Sequence, residues 1–242
     1  MSTGNVRIGS IVRDGGGWLP RYFVQVQELA AQLWAKRDRE LSVILLEGDS
    51  SDDSWEQLIS WQAESKLPIQ VLKFSHGGKK YPSINKPDRW ANIAKCWNYL
   101  FSWQKHEAGI DAFIYVEADL IWEPATMIQL LDDLEIKGVD GVAPMSMLNP
   151  DFFYDIWGHR ADGLHFTNGR PFHPWLAPDA KVPAEAQNGN LLKIDSAGSC
   201  MAMRWEIVQR CTFSPVDAMI GPDMNAKGYG LWLDKTLAVR HP

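Results

Sequence analysis

Asp111-Ala-Phe-Ile-Tyr-Val-Glu-Ala-Asp119, followed by Leu-Ile-Trp-Glu-Pro124, is the stretch whose reading decides the fold. Residues 112–116 are a short apolar run rich in β-branched and aromatic side chains, which predicts a buried strand. The run stops at two carboxylates, Glu117 and Asp119, separated by one small residue. At the carboxyl end of a strand, on the open edge of an α/β sheet, such a pair can hold one hard divalent cation.

The segments flanking this strand read as helices. Upstream, Trp90, Ile93, Ala94, Trp97, Leu100 and Phe101 recur at helical spacing and predict a long helix over about 88–106. Arg89, Asn92 and Lys95 run beside that stripe as a polar ladder, which could face a diphosphate or simply be solvated. Downstream, Pro124 opens a helix to about Ile136 over Met127, Leu130, Leu131 and Leu134, and a strand follows over 139–147.

The first 75 residues alternate strand and helix, the pattern of a doubly wound sheet. Strands are expected at 6–12, 41–46 and 69–74, with helices over about 21–36 and 54–64. Phe23, Val24, Leu29, Leu33 and Trp34 are expected on the core face of the first helix. Trp55, Leu58, Ile59 and one side of Trp61 are expected to be buried by the second. The first two strands end in Arg13-Asp14-Gly-Gly-Gly-Trp18 and Glu47-Gly-Asp49-Ser-Ser-Asp-Asp53. Acidic residues there suit base and ribose hydroxyls better than phosphates, although the second loop also reads as a solvated turn and helix cap. No GxGxxG and no GxxxxGK[ST] is present.

Residues 149–190 break the periodicity. This stretch is rich in Gly, Pro, His, Asp and aromatics, and is long enough to suggest a binding loop or lid. His159, His165 and His173 lie in it without metal-ligand spacing. Trp18, Trp157 and Trp175 sit in Gly/Pro-rich loops, where they either pack or stack on a sugar or base. Short extended runs at 191–195 and 201–204, a helix at 205–211 and another opened by Ile220-Gly-Pro-Asp223 follow. A strand over 236–240 then delivers His241.

Composition bounds the rest. The chain has 242 residues, 45% hydrophobic and 22% charged, which fits one globular domain and excludes a disordered chain. A net charge of −6 gives no bulk support for polyanion binding and leaves a local basic groove open. Cys96, Cys200 and Cys211 contain no CxxC pair and read as reduced, buried thiols. No signal peptide and no apolar run near the roughly 20 residues of a membrane span is seen, so a cytoplasmic protein of a bacterial or phage-infected cell is expected.

In order and spacing, three features resemble the nucleotide-sugar-dependent glycosyltransferases of the GT-A fold, closest in look to the Anp1/Mnn9-type mannosyltransferase branch. These are the strand ending in Glu117-Ala-Asp119, the loop 47–53, and Gly-Pro-Asp223 followed by a small helix and a closing strand to His241. The resemblance spans nearly the whole chain. It implies a single-domain, mixed and mostly parallel α/β sheet flanked by helices, with a nucleotide-sugar-binding half at 1–119 and an acceptor-binding half at 120–242. It further implies that Asp119, Glu117 and His241 bind Mn2+ or Mg2+, with Glu117 departing from the commoner first Asp. An imidazole among oxygen ligands shifts preference toward manganese. Arg13, Asp14, Asp49, Arg89 and Lys95, with Glu117, would hold a UDP-sugar or GDP-sugar. Asp223 would be the base that deprotonates the acceptor. Trp157, His159, Arg160, Asp162 and Gly198 would meet that acceptor, a carbohydrate or a modified nucleic-acid base.

Two other classes share parts of this pattern. A sugar-nucleotide pyrophosphorylase would want a basic, Gly-rich triphosphate loop, which Arg13-Asp-Gly-Gly-Gly17 matches in part. A non-catalytic carbohydrate-binding module would use the loop tryptophans and turn over no nucleotide sugar.

Overall fold

The computed structural model describes residues 4–82, 84–149, 152–155, 158–161, 164–165 and 181–242. The chain opens as β1 (Asn5–Val12), α1 (Leu19–Arg37), β2 (Leu41–Glu47), α2 (Ser54–Glu64) and β3 (Ile69–Lys73). It continues through α3 (Pro87–Gln104), β4 (Ile110–Val116), α4 (Pro124–Ile136) and β5 (Gly141–Asn149). Two-residue strands β6 (Phe152–Phe153), β7 (Arg160–Ala161), β8 (Leu164–His165) and β9 (Gln187–Asn188) follow. The chain then runs through β10 (Leu191–Ile194), β11 (Cys200–Arg204), α5 (Trp205–Arg210), α6 (Gly221–Ala226) and β12 (Leu231–Arg240).

The main sheet has the order β3-β2-β1-β4-β11-β5-β12-β10-β9, with β6 on the side of β5. β3, β2, β1 and β4 are mutually parallel, and β12 is parallel to β5. β11 runs antiparallel between β4 and β5. Alternation along β4 sends Ala112, Ile114 and Val116 into one core with α1, α2 and α4. Phe113 and Tyr115 enter a second core with α3, α5 and α6. The chain changes sides of the sheet after β3, and a crevice lies at the carboxyl ends of the neighbouring strands β1 and β4.

The α3 stripe holds as expected for Ala94, Trp97, Leu100 and Phe101, all buried. Trp90 and Ile93 are only half-buried and face the crevice instead. The predicted face of α1 is displaced. Val24 is 52% and Trp34 60% exposed, while Tyr22, Gln25 and Val26 are buried. Two hydrogen bonds account for the polar members: Ser10 Oγ donates to Tyr22 Oη, and Gln25 Nε2 donates to the Trp122 carbonyl. On α2, Leu58 and Trp61 are buried but Ile59 is exposed.

The closing strand is one element. Its register against β5 jumps between Asp234 and Ala238, a bulge inside a strand that begins at Leu231, ahead of the 236–240 expected from sequence. Arg240 bridges Ile121, and the His241 amide donates to the Met147 carbonyl. This pairing carries the end of β12 alongside the turn that follows β4. Among the described residues no helix is long and apolar enough to cross a membrane.

Candidate active site

A cavity of about 690 Å³ occupies the crevice, within the size range of small-molecule and cofactor sites. Arg13, Trp18, His76, Tyr81, Arg89 and Trp90 line one part of it. Glu117, Asp119, Tyr154, Asp155, Gly198, Ser199 and His241 line another. The backbone bordering it is unusual. Asp14, Asp49, Ser199 and Ala218 have φ values of 49°, 62°, 58° and 58°, a left-handed conformation that non-glycine residues seldom adopt and that recurs at functional sites.

Asp119 sits just past β4. Its backbone carbonyl accepts a bond from the Arg21 guanidinium, so its place does not depend on its own side chain. The carboxylate Oδ2 lies 3.4 Å from His241 Nε2, while Oδ1 is buried and, among the described residues, has no hydrogen-bond partner. An orphaned, buried carboxylate oxygen is costly unless a cation or donor completes it. Glu117 lines the same cavity. Burial, then Asp119 and Asp155, push its carboxyl up to about 8, against a smaller opposing pull from Arg89.

The three metal ligands expected from sequence are thus only partly assembled. Asp119 and His241 meet. Glu117 does not join them in one coordination sphere, and among the described residues no three His, Cys, Asp or Glu side chains converge as a metal site. Close approach of two carboxylates without an ion between them is repulsive, and protonation of Glu117 relieves it. The donor set still fits a hard cation, because the unsatisfied oxygen belongs to Asp119.

The remaining expected residues divide. Arg13, Arg89 and Gly198 line the cavity. Asp14 and Asp49 flank it, and their carboxylates are used to tie loops together. Asp14 Oδ1 accepts from the Ser51 amide and hydroxyl at 2.6 and 2.9 Å; the amide bond is the main cause holding its pKa down. Asp49 Oδ2 accepts from Ser75 Oγ at 3.1 Å. Lys95 is exposed and does not line the cavity. His159 is fully buried, 3.2 Å from Asp155, and Arg160 pairs with Asp217 at 2.6 Å, so neither presents its side chain to the cavity. Trp157, Asp162, His173 and Trp175 lie outside the described residues.

Asp223 is not brought to the cavity either. Its Oδ2 accepts from the Thr212 amide at 2.7 Å, Thr212 Oγ1 at 3.1 Å and Lys227 Nζ at 2.7 Å. Burial would raise its pKa, but these bonds outweigh it and lower it. The carboxylate fastens the start of α6 to residue 212. Asp223→Asn should therefore cost about 1–2 kcal/mol of stability in thermal melts and change turnover less than about tenfold. A fall of a hundredfold or more would return Asp223 to the base role.

Two cavity residues escape sequence reasoning, Tyr154 and Asp155. Asp155 is buried; burial alone would raise its pKa. Bonds from His159, the Gly158 amide at 2.8 Å and Ser199 Oγ at 3.2 Å hold it low instead. The signal was glycine. A Cβ on Gly198 would stand 2.4 Å, and one on Gly158 2.6 Å, from an Asp155 oxygen, so both positions must be small to admit that carboxylate.

No family model and no curated protein sequence matches the chain. Solved structures do. The mannosyltransferase PcManGT from Pyrobaculum calidifontis, in complex with GDP-Man and Mn2+, superposes with TM-score 0.57 at 12% identity, covering 98% of this chain and 56% of that one. TarS residues 1–349 from S. aureus superposes at 0.53 and 9% identity, and its complex with UDP at 0.54 and 11%, each covering 98% of this chain and 60% of that one. The chain therefore spans little more than half the length of these proteins. None of them bears on the narrower Anp1/Mnn9 branch. At such identities the likeness establishes architecture: the chain has the mixed α/β, GT-A glycosyltransferase fold.

Proposed function

We propose that the chain is a cation-assisted glycosyltransferase that moves a sugar from a UDP-sugar or GDP-sugar to an acceptor hydroxyl. The observation that carries this is Asp119 Oδ1, buried and unpartnered at the wall of a nucleotide-sized cavity beside His241. Asp119 and His241 would hold Mn2+ or Mg2+, with Glu117 behind them. Such an ion supplies charge stabilisation for a departing diphosphate. Arg13 and Arg89 add fixed positive charge for the same phosphates. Asp155, kept ionised by its bonds to His159, Gly158 and Ser199, places a fixed negative charge in the cavity wall that can orient an acceptor hydroxyl. Gly198 admits that carboxylate to the cavity wall. Three free, buried cysteines suit a reducing compartment such as the cytoplasm.

Two features weigh against the competing classes. A triphosphate loop would need free amides after β1. Here the amides of Asp14, Gly15 and Gly16 are taken by Ser50, Ser54 and Asp52. A mere glycan-binding module has no use for a buried, unsatisfied carboxylate. The test is a melting-temperature screen of nucleotide sugars with and without Mn2+. A true donor at a hundredfold excess over Kd stabilises by about 2.7 kcal/mol, a shift of roughly 5–10 °C. No shift with any UDP-sugar or GDP-sugar sinks the reading.

A nucleic-acid acceptor draws on charge placement. Residues 73–95 hold six of the 24 Lys and Arg but only one of the 30 acids. Lys79, Lys80, Lys86 and Lys95 are exposed and, among the described residues, form no ion pair. This segment borders the cavity through Tyr81, Arg89 and Trp90, and cations interleaved with aromatics suit single strands. Lys79→Glu with Lys80→Glu should weaken single-stranded DNA binding tenfold or more at low salt and reduce the salt slope by about 2. Unchanged fluorescence anisotropy titrations would leave a neutral carbohydrate as the acceptor.

A further inference from the structure

Tyr154 and His241 come from distant parts of the sequence and are fixed by the same strand. β6 pairs with β5 at Met147 and Asn149, and the Tyr154 amide donates to the Ser146 carbonyl at 2.8 Å. The His241 amide donates to the Met147 carbonyl at 2.8 Å. Hung from neighbouring rungs of β5, the two rings stack with centroids 3.8 Å apart and planes inclined by 19°. The imidazole edge is thereby turned so that Nε2 lies 3.4 Å from Asp119 Oδ2. The His241 side chain is 20% exposed, and its other nitrogen faces only the adjoining Pro242 carbonyl at 3.2 Å. Among the described residues the Tyr154 face, the Asp119 carboxylate and the Pro242 carbonyl are the partners that fix the turn of that ring.

We propose that Tyr154 is a positioning residue for the cation site, holding the His241 imidazole in the orientation from which it and Asp119 grip one divalent ion. The inference rests on the cation-assisted reading above. It assigns the work to the flat face of the ring and not to the phenol oxygen, for which no hydrogen bond to His241 or Asp119 is seen. A pre-oriented ligand loses less rotational freedom on binding, so the gain is in ion affinity.

The test is Mn2+ binding without any donor, followed by the electron paramagnetic resonance signal of free Mn2+. Tyr154→Leu and Tyr154→Ala should raise the Kd about five- to tenfold, and Tyr154→Phe should stay within twofold of wild type. In a His241→Ala background the same Tyr154 substitutions should change nothing further, because the ring then has nothing to orient. A purely packing role predicts the opposite, an equal loss in both backgrounds that tracks the fall in melting temperature, and that result overturns the proposal. If wild type and Tyr154→Leu bind Mn2+ equally, this inference fails alone. If wild type binds no Mn2+, the cation-assisted reading fails and takes this one with it.

Discussion

Asp119→Ala should abolish Mn2+-dependent stabilisation by the donor and lower turnover about a thousandfold, with the fold intact. The expectation follows from what each part of Asp119 does. Its carbonyl is held by Arg21 and its neighbour Ala118 is buried, so the turn survives loss of the carboxylate. The side chain contributes no internal hydrogen bond through Oδ1 and only a 3.4 Å contact to His241 through Oδ2. Removing it also removes a like charge that helps to push Glu117 upward. Metal-free Asp119→Ala should therefore melt no lower than wild type. The loss appears only where the diphosphate leaves. There, electrostatic stabilisation of developing charge is typically worth about 10²–10³ in rate for one group, and more when the group also holds the ion. Asp119→Asn keeps the shape and discards the charge, and should fall nearly as far. Calorimetric titration with Mn2+ and single-turnover rates on the donor found by melting decide it. Turnover within tenfold of wild type would remove Asp119 from the site.

Why the fold was legible and the site only partly so has a physical basis. β4 and the second half of α3 are buried on one or both faces, so burial wrote a period into residues 94–104 and 110–116. On α1 the same rule failed at Val24 and Trp34, which are exposed. Tyr22 and Gln25 could be buried because Ser10 and the Trp122 carbonyl satisfy them, a tertiary fact without a local signature. Tyr154 and Asp155 were missed for a related reason. Their positions are set by a two-residue strand pairing and by two glycines 40 residues apart, not by any repeat. Asp223 shows the converse. Its place before a short helix matched a motif, yet three donors from residues 212 and 227 already satisfy it.

Glu117→Gln should remove the pH dependence that buried Glu117 imposes on the metal-free protein. An ordinary glutamate titrates near 4.5, and burial beside Asp119 and Asp155 pushes Glu117 up to about 8 in the folded state. Between those values the folded protein binds a proton that the unfolded chain has released, so stability falls as pH rises and is lowest above 8. The stabilising share of Glu117 is thus fully present below pH 4.5 and gone once pH passes 8. Glutamine cannot ionise. The variant should match wild type near pH 4.5 and exceed it at pH 9 by something on the order of 2–3 kcal/mol, discounted for partial solvent access. Asp133, also raised by burial, contributes to the slope of both proteins and cancels in their difference. Mn2+ supplies the second arm. An ion at Asp119 favours the ionised Glu117, so it should stabilise wild type more at pH 8.5 than at pH 6, while its effect on Glu117→Gln should vary less with pH. Melts from pH 4.5 to 9, in chelator and in Mn2+, read both effects at once. Parallel wild-type and variant curves in chelator would mean that Glu117 titrates as a solvated carboxylate. Metal stabilisation with the same pH dependence in both proteins would place the ion away from the end of β4, and the strand 110–116 would then end in turn chemistry alone.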